Sequence, residues 1–349
     1  MRATALVRRR TVRRINPVTI VIIGRLVVST APLLRRLAAV ALVAATGFAA
    51  VACSSDEGPR ETDNPIVVAS TDVWGAVASA VVGEHGEVTS LFNDPGADPH
   101  EFEPSMADTA KIEDADVLVF NGGHYDAYVE SAAKGSRAIK VEAAALLPGS
   151  DEAGDDHDHS HDHEHGHEGH DHGDGPNEHV FYDLALVGQV ADKTAEALAT
   201  VSPMNAQHYR DNATTFNEGI RGLQARLAAI KAQHDGARVA STEALSEFLL
   251  AEAGLVDAAP PGFTDAVENG QSPSAADVAK FTDLLTHRQV AALIYNPQSV
   301  DPATDQMLRI ARDNRIPVVE LTESLPQGVT GYLDWQSEQI RQLEQALNA

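Results

Sequence analysis

From Asn64 onward, short apolar runs alternate with segments whose apolar residues recur every three or four positions. "PIVVAS" (65–70), "VTSLF" (88–92), "DVLVF" (116–120) and "RAIKV" (137–141) read as strands. The helical patterns 73–83, 105–115 and 125–133 fall between them. The second half repeats the alternation. "ARVAS" (237–241), "VAALIY" (290–295) and "PVVEL" (317–321) are strand-like, with helices expected over 244–253, 274–286, 302–313 and 332–347. Strands alternating with helices predict parallel sheets, so the fold class is α/β with two lobes, each a parallel sheet flanked by helices. The lobes are expected over 64–148 and 237–349, and the helices of 177–236 join them. The long connecting helix, from about Pro203 to Gln233, sets Phe216, Ile220, Leu223, Leu227 and Ile230 on one face. At 1.5 Å per residue it spans roughly 45 Å, enough to run from one lobe to the other.

One tract breaks the pattern. Residues 149–176 include "DDHDHSHDHEHGHEGHDHGDG", with His157, His159, His161, His163, His165, His167, His170 and His172 set among acids and glycines. Residues 151–174 hold ten acids and no lysine or arginine, and almost nothing apolar is present to offset the entropy of ordering the chain. The tract therefore reads as a disordered loop. Its imidazoles, with a reference pKa near 6.5, are mostly neutral at pH 7 and free to ligate, so an accessory metal collector is expected. The plainer alternative is a solvated linker with no metal role.

Charge is as unevenly placed as hydrophobicity. Residues 1–52 hold nine arginines and no acid, leaving 17 basic against 51 acidic residues in the remainder, a formal net charge of −34. Such a surface repels nucleic acid and concentrates cations. The basic N-terminus ends in "LAAVALVAATGFAAVAC", an apolar run of signal-peptide length that stops at Cys53, the single cysteine. "AVAC" is similar to a lipobox, with Ala50 where leucine is usual. Residues 1–52 are then a signal peptide, Cys53 is the lipidation site, and the polar stretch 53–63 is a flexible tether. An earlier apolar run interrupted by Arg25 implies either an unusually long signal or a later translation start.

Four places put a good metal ligand just past a strand or at the start of a helix, where α/β proteins place their ligands. In "NDPGADPHEFEPS" prolines hold an extended loop around His100. His179 follows Gly175 and Pro176 and enters the helix "YDLALVGQVADK". Glu243 follows the strand 237–241, and Glu323 lies two residues past the strand 317–321. Each has a structural alternative: a solvated loop histidine, the last member of the histidine run, or a glutamate favouring a helix N-terminus. His124 follows a strand and is a candidate substitute ligand, Asn296 a candidate lining residue. His85, His208, His234 and His287 are expected at the surface.

From about Asn64 to Ala349 the chain resembles the metal-binding solute receptors of bacterial ABC importers. "DPHEFEP", "EHVFYDLALVGQVADKTAEAL", "STEALSEFLLAEAGL" and "LTESLP" are similar to that family's four motifs. In the second, Glu178 stands where an Asp-Pro pair is usual, and in the fourth, Glu323 replaces aspartate. The resemblance implies the metal ligands His100, His179, Glu243 and Glu323, two from each lobe, with the ion between the lobes. It implies a monomer that is not an enzyme. It further implies an ABC permease and ATPase as partners, and a lipid anchor on the outer face of the cytoplasmic membrane. Two imidazoles and two carboxylates suit zinc, manganese or iron. The histidine-rich insert, typical of the family's zinc-binding members, makes Zn2+ the expected cargo, with Mn2+ the alternative. A zinc store or chaperone working through the loop is a further alternative.

Overall fold

The structure is a computed structural model that describes residues 58–148 and 177–349. The signal segment, Cys53 and the eight histidines of the 149–176 tract lie outside the described residues.

The first sheet contains β1 (Ile66–Thr71), β2 (Glu87–Phe92), β3 (Val117–Phe120) and β4 (Ile139–Glu142), with α1 (Asp72–Val82), α2 (Met106–Asp114) and α3 (Ala127–Ala132) between strands. Its order is β2-β1-β3-β4 and every pairing is parallel, running from Val67 opposite Val88 to Val119 opposite Val141. Two helices follow, α4 (Leu184–Val201) and α5 (Ala206–His234). The second sheet contains β5 (Arg238–Ser241), β6 (Val256–Asp257), β7 (Leu293–Tyr295) and β8 (Val318–Glu320) in the order β6-β5-β7-β8, again all parallel. Its helices are α6 (Glu247–Glu252), α7 (Pro261–Glu268), α8 (Ala275–Thr286), α9 (Pro302–Asp313) and α10 (Tyr332–Leu347). Both sheets therefore reverse their winding beside their first strand, the place where α/β proteins bind their ligands.

The apolar spacing explains the connector. Phe216, Ile220, Leu223, Leu227 and Ile230 are all buried on α5, together with Tyr209 and Ala213. They belong to one core that runs from Val67 and Trp74 beside the first sheet to Leu249, Trp335 and Leu343 beside the second. Helix starts follow their capping chemistry. Thr71 accepts from Trp74 N, Asp183 accepts from Leu186 N, and Ser105 with Asp108 and Asp301 with Thr304 form capping boxes.

The departures from expectation are local. The helix foreseen over 244–253 begins as a 3-10 turn, Ala244–Ser246, before α6. The strand foreseen from 290 pairs only from Leu293. The edge strand β6 and the helix α7 are further elements that the apolar pattern does not predict. His85, His208 and His234 are half-buried rather than fully on the surface. The His85 and His208 rings meet edge-on at 4.3 Å, an aromatic contact that shields both. Among the described residues no helix is long and apolar enough to cross a membrane.

Candidate metal centre

The His100 loop is shaped by its own sequence. Asp98 caps a 3-10 turn, Pro99–Glu101, by accepting the His100 N–H at 2.9 Å, and proline fills the first turn position, where no amide hydrogen is needed. The His100 side chain is 27 % exposed.

His179 is held more firmly, with its side chain only 1 % exposed. Asn177 Oδ1 accepts both the His179 N–H (2.8 Å) and its ring Nδ1 (3.0 Å). The amide orientation follows from the other end of Asn177, whose Nδ2 donates to Ala244 O (2.9 Å) and Glu247 Oε2 (2.8 Å). Nδ1 of His179 must therefore carry a proton, which leaves Nε2 as the ligating nitrogen of the neutral ring. The segment is anchored behind by Asn121, at the end of β3, whose Nδ2 donates to Glu178 O at 2.8 Å while its Oδ1 accepts Trp74 Nε1 at 3.2 Å. Asn121 sits in a turn that Gly122 permits. Gly122 has φ +81°, and a Cβ there would collide with Glu142 at 2.3 Å.

Glu323 follows β8 in a turn clasped on several sides. Gln298 Oε1 accepts the Glu323 and Ser324 amides (2.7 and 3.1 Å), Gln298 Nε2 donates to Pro95 O (2.9 Å), and Asp72 Oδ2, at the start of α1, accepts Leu325 N (2.9 Å). The carboxylate itself receives two donors. Asn296 Nδ2 donates to Oε1 at 2.9 Å, and the Tyr125 hydroxyl donates to Oε2 at 3.2 Å.

Four side chains converge. His100 Nε2 and His179 Nε2 are 3.5 Å apart, and Glu323 Oε2 lies 3.2 and 3.3 Å from them. Glu268 Oε1, at the last residue of α7, lies 3.5 and 3.4 Å from the same two nitrogens. A tetrahedral zinc site with bonds of about 2.0–2.2 Å has ligand-to-ligand edges of about 3.4 Å. The five separations, each from an imidazole nitrogen, lie close to that edge length. Tyr125 backs the cluster, its ring edge-on to His100 at 4.7 Å and to His179 at 6.1 Å.

The electrostatics have the same sense. Burial opposes a charge on His100, but the hydrogen bond and charge of Glu323, reinforced by Glu268 and Asp98, raise its pKa to about 9. His179 is likewise raised by Glu323 and Glu268 against the effect of burial. Glu323 is deeply buried, yet the two imidazoles pull it well below the usual carboxylate range. Burial lifts Glu268, with the charge of Glu323 adding to it and the two imidazoles opposing. The cluster holds negative charge ready and draws protons onto the imidazoles, positions a metal cation would otherwise fill.

Of the four residues anticipated, His100, His179 and Glu323 come together, and Glu243 does not join them. Among the described residues, the two constellations that could hold an ion are His100, His179 and Glu268, and Asp98, His100 and Glu323. Glu243 is instead buried beside them, its Oε2 accepting from Asn296 Nδ2 at 2.8 Å. Burial, and then the charge of Glu323, raise its carboxyl to about 8, so it is mostly protonated at neutral pH. His124 also stays outside. It is exposed, and its amide donates to Glu178 Oε1 at 3.2 Å, while its neighbour Tyr125 faces the cluster. Asn296 lines the site without facing the imidazoles, and binds both carboxylates.

Glu268 was missed because α7 was. "PPGFTDAVENG" begins with two prolines and a glycine and is too short for a strong periodic signal, yet the signs were present. Pro261 fits a first helical turn, Phe263 and Val267 share a buried face, and Asn269-Gly270 ends the helix.

Comparison with known proteins agrees with this architecture. The chain is 24 % identical over 311 residues to the zinc-binding lipoprotein AdcA of Streptococcus pneumoniae, covering 84 % of this chain and 58 % of that protein. It is 26 % identical over 181 residues to the manganese-binding lipoprotein MntA of Bacillus subtilis, covering 50 % and 53 %. The chain thus spans little more than half the length of these relatives. Among solved structures, the laminin-binding protein Lmb of Streptococcus agalactiae, described as an adhesin with metal-transporting activity, superposes with a TM-score of 0.64 at 22 % identity, over 81 % of this chain and 99 % of that one. The solute-binding protein FpvC of Pseudomonas aeruginosa in complex with Mn2+ gives 0.62 at 21 % identity, over 82 % and 99 %. At these identities the structures establish the shared fold alone. The family described as Zinc-uptake complex component A periplasmic matches residues 67–346, four-fifths of the chain, and the chain belongs to it, a family of metal-binding solute receptors and not of enzymes.

Proposed function

We propose that the protein captures Zn2+ between its two α/β lobes and hands it to an ABC permease and its ATPase. His100 and His179 come from the side of the first sheet and Glu323 and Glu268 from the second, and together they form the site. The observation that carries this reading is the convergence of two imidazole Nε2 atoms and two carboxylate oxygens, with nitrogen–nitrogen and nitrogen–oxygen separations of 3.2 to 3.5 Å. Zinc takes four such ligands and has no preference from d-electrons that would demand more. With four protein ligands no position is left for an activated water, in keeping with a receptor that carries its ion unchanged.

Cys53 anchors the chain by lipid to the outer face of the cytoplasmic membrane, and 53–63 is the tether that keeps the receptor near its permease. The lipoprotein relatives and the lipobox-like "AVAC" support this reading. The tract 149–176 directly precedes Asn177 and His179 in the sequence, which suits a role in passing captured ions to the site. It serves as a collector that binds more weakly than the ordered cluster.

A manganese receptor is the second reading, favoured by the two carboxylates and by the manganese-binding relative. Calorimetry on the protein lacking residues 151–174 tests the assignment. One zinc ion should still bind tightly, with manganese much weaker. Loss of that tight site with the loop would make the protein a store or chaperone, and tighter manganese binding would reverse the choice of cargo.

A further inference from the structure

We infer that Gln298 is a positioning residue that sets how long the ion is held, by tying the loop that carries His100 to the turn that carries Glu323. The inference rests on the interlobe site proposed above and deepens it by naming what resists the opening of that site.

Gln298 lies three residues past β7, in the segment that leads into α9. A glutamine amide offers two acceptor positions on its oxygen and two hydrogens on its nitrogen, and here all four are used. Oε1 accepts the Glu323 and Ser324 amides at 2.7 and 3.1 Å. Nε2 donates to Pro95 O at 2.9 Å and to Ser324 Oγ at 2.5 Å. Turning the amide over would set its hydrogens against two N–H donors, so these partners fix its orientation. The backbone is held as well, since Asn296 Oδ1 accepts the Gln298 N–H at 2.9 Å.

Pro95 belongs to the side of the first sheet, five residues before His100. Ser324 adds a second link to the same loop, its hydroxyl donating to Asp94 O at 3.4 Å. One amide group thus joins two ligand-bearing segments that approach the site from different sheets. Asp94, Pro95 and Gly96 on one side and Gln298, Thr322 and Pro326 on the other line a cavity of about 730 Å3. Side chains do not fill the space between these segments, so hydrogen bonds carry much of what joins them there. The core beneath is continuous from one sheet to the other, which makes parting of the loops the easier route for an ion to leave.

An ion shared by His100 and Glu323 escapes as those segments part, and that movement must also break the Gln298 links. Encounter with a free cation is set instead by diffusion and by the negative charge of the site, which a neutral amide does not alter. Gln298 therefore acts on release more than on capture.

Stopped-flow kinetics test this on the full-length protein loaded with one equivalent of Zn2+ and mixed with excess chromogenic chelator, and His179→Ala, treated in the same way, reads the histidine tract. In Gln298→Ala the slow release phase should quicken by about tenfold, with the association rate changed by less than about twofold. Gln298→Glu separates the crossing link from support of the Glu323 turn. Its carboxylate still accepts the Glu323 and Ser324 amides but cannot donate to Pro95 O, and its added charge favours holding a cation. Release should quicken in this variant too. Ser324→Ala, which removes the second link and leaves the direct one, should give a smaller increase, and it serves as the reading should the Gln298 variants fail to fold. The Asp72 carboxylate still accepts Leu325 N in all three, so the turn keeps one anchor to the first lobe. Unchanged release in these variants would overturn the inference. So would quicker release in Gln298→Ala but not in Gln298→Glu, or an effect carried by the association rate. If instead His179→Ala released zinc with the same slow phase as the unaltered protein, it is the interlobe site itself that would fail.

Discussion

In each sheet the same inner strand is followed at once by an asparagine, "VLVFN" at β3 and "ALIYN" at β7, and the two amides are used differently. Asn121 grips the main chain ahead of His179, whereas Asn296 grips the carboxylates themselves. On the side of the first sheet the His179 imidazole is thus positioned through backbone and a neighbouring amide, Asn177. On the side of the second, the Asn296 amide binds the carboxylates of Glu323 and Glu243 directly. Parallel strands that end at equivalent points supply equivalent platforms, and the side chain at the platform decides which kind of ligand is held. An imidazole needs one ring nitrogen protonated and the other aimed, which a backbone anchor and one acceptor achieve. A carboxylate has two equal oxygens, and in Glu323 the one turned to the imidazoles is Oε2, while Oε1 accepts from Asn296.

The comparison can be broken most forcefully at the ligands. His179→Ala or Glu323→Ala should abolish tight zinc binding in calorimetry, a loss well beyond the about 10- to 100-fold that a supporting residue is worth. Glu268→Gln should also fall in this class if α7 supplies the fourth ligand. A loss no larger than that of a supporting residue would remove Glu268 from the set.

Next in size is Asn177→Ala, which leaves the His179 ring without its acceptor and should cost about 10- to 100-fold in zinc affinity with little change in the zinc-to-manganese ratio. A change confined to the ratio would mean that the two sides of the site do not divide their roles as described.

The pH response comes next, and its sign is set by the raised imidazoles. With His100 at about 9 and His179 also raised, metal binding at neutral pH must displace protons. Zinc affinity should therefore climb as pH rises through the neutral range, by about tenfold per unit for each displaced proton, and level off above about pH 9. In the metal-free protein the same ion pairs stabilise the fold fully below the unfolded histidine pKa of about 6.5, and that contribution is lost as pH rises towards 9. Thermal unfolding should thus show the metal-free and zinc-loaded forms moving apart as pH increases. The smallest effect belongs to Glu243→Gln, which keeps shape and hydrogen-bonding capacity at a position outside the imidazole cluster. It should change zinc affinity by less than the about tenfold that separates supporting from spectator residues.

Most of the framework is legible in the chain because it rests on periodicities that tertiary context does not override. The buried runs of β1, β3 and β7, and the stripe on α5, could face only a core. His100, His179 and Glu323 were visible as polar residues placed at the edges of such elements. Glu268 was not, because it lies at the far end of a two-turn helix whose start reads as a loop, and its approach to the imidazoles is a product of tertiary packing rather than of local pattern. Glu243 shows the converse. Its place after β5 is that of a ligand, yet its Oε2 accepts from Asn296 Nδ2 and it stands beside the imidazole cluster. Whether a residue at the rim of a crevice faces the ligand or its neighbour depends on hydrogen bonds between segments more than fifty residues apart.

Which carboxylates reach the ion is tested directly by a crystal of the zinc-loaded protein, with an anomalous map at the zinc edge. The expected result is one ordered zinc bonded to His100 Nε2, His179 Nε2, one oxygen of Glu323 and one of Glu268, with Glu243 still on the amide of Asn296. Zinc bonded to Glu243 with Glu268 turned away, or Glu323 chelating through both oxygens, would contradict it.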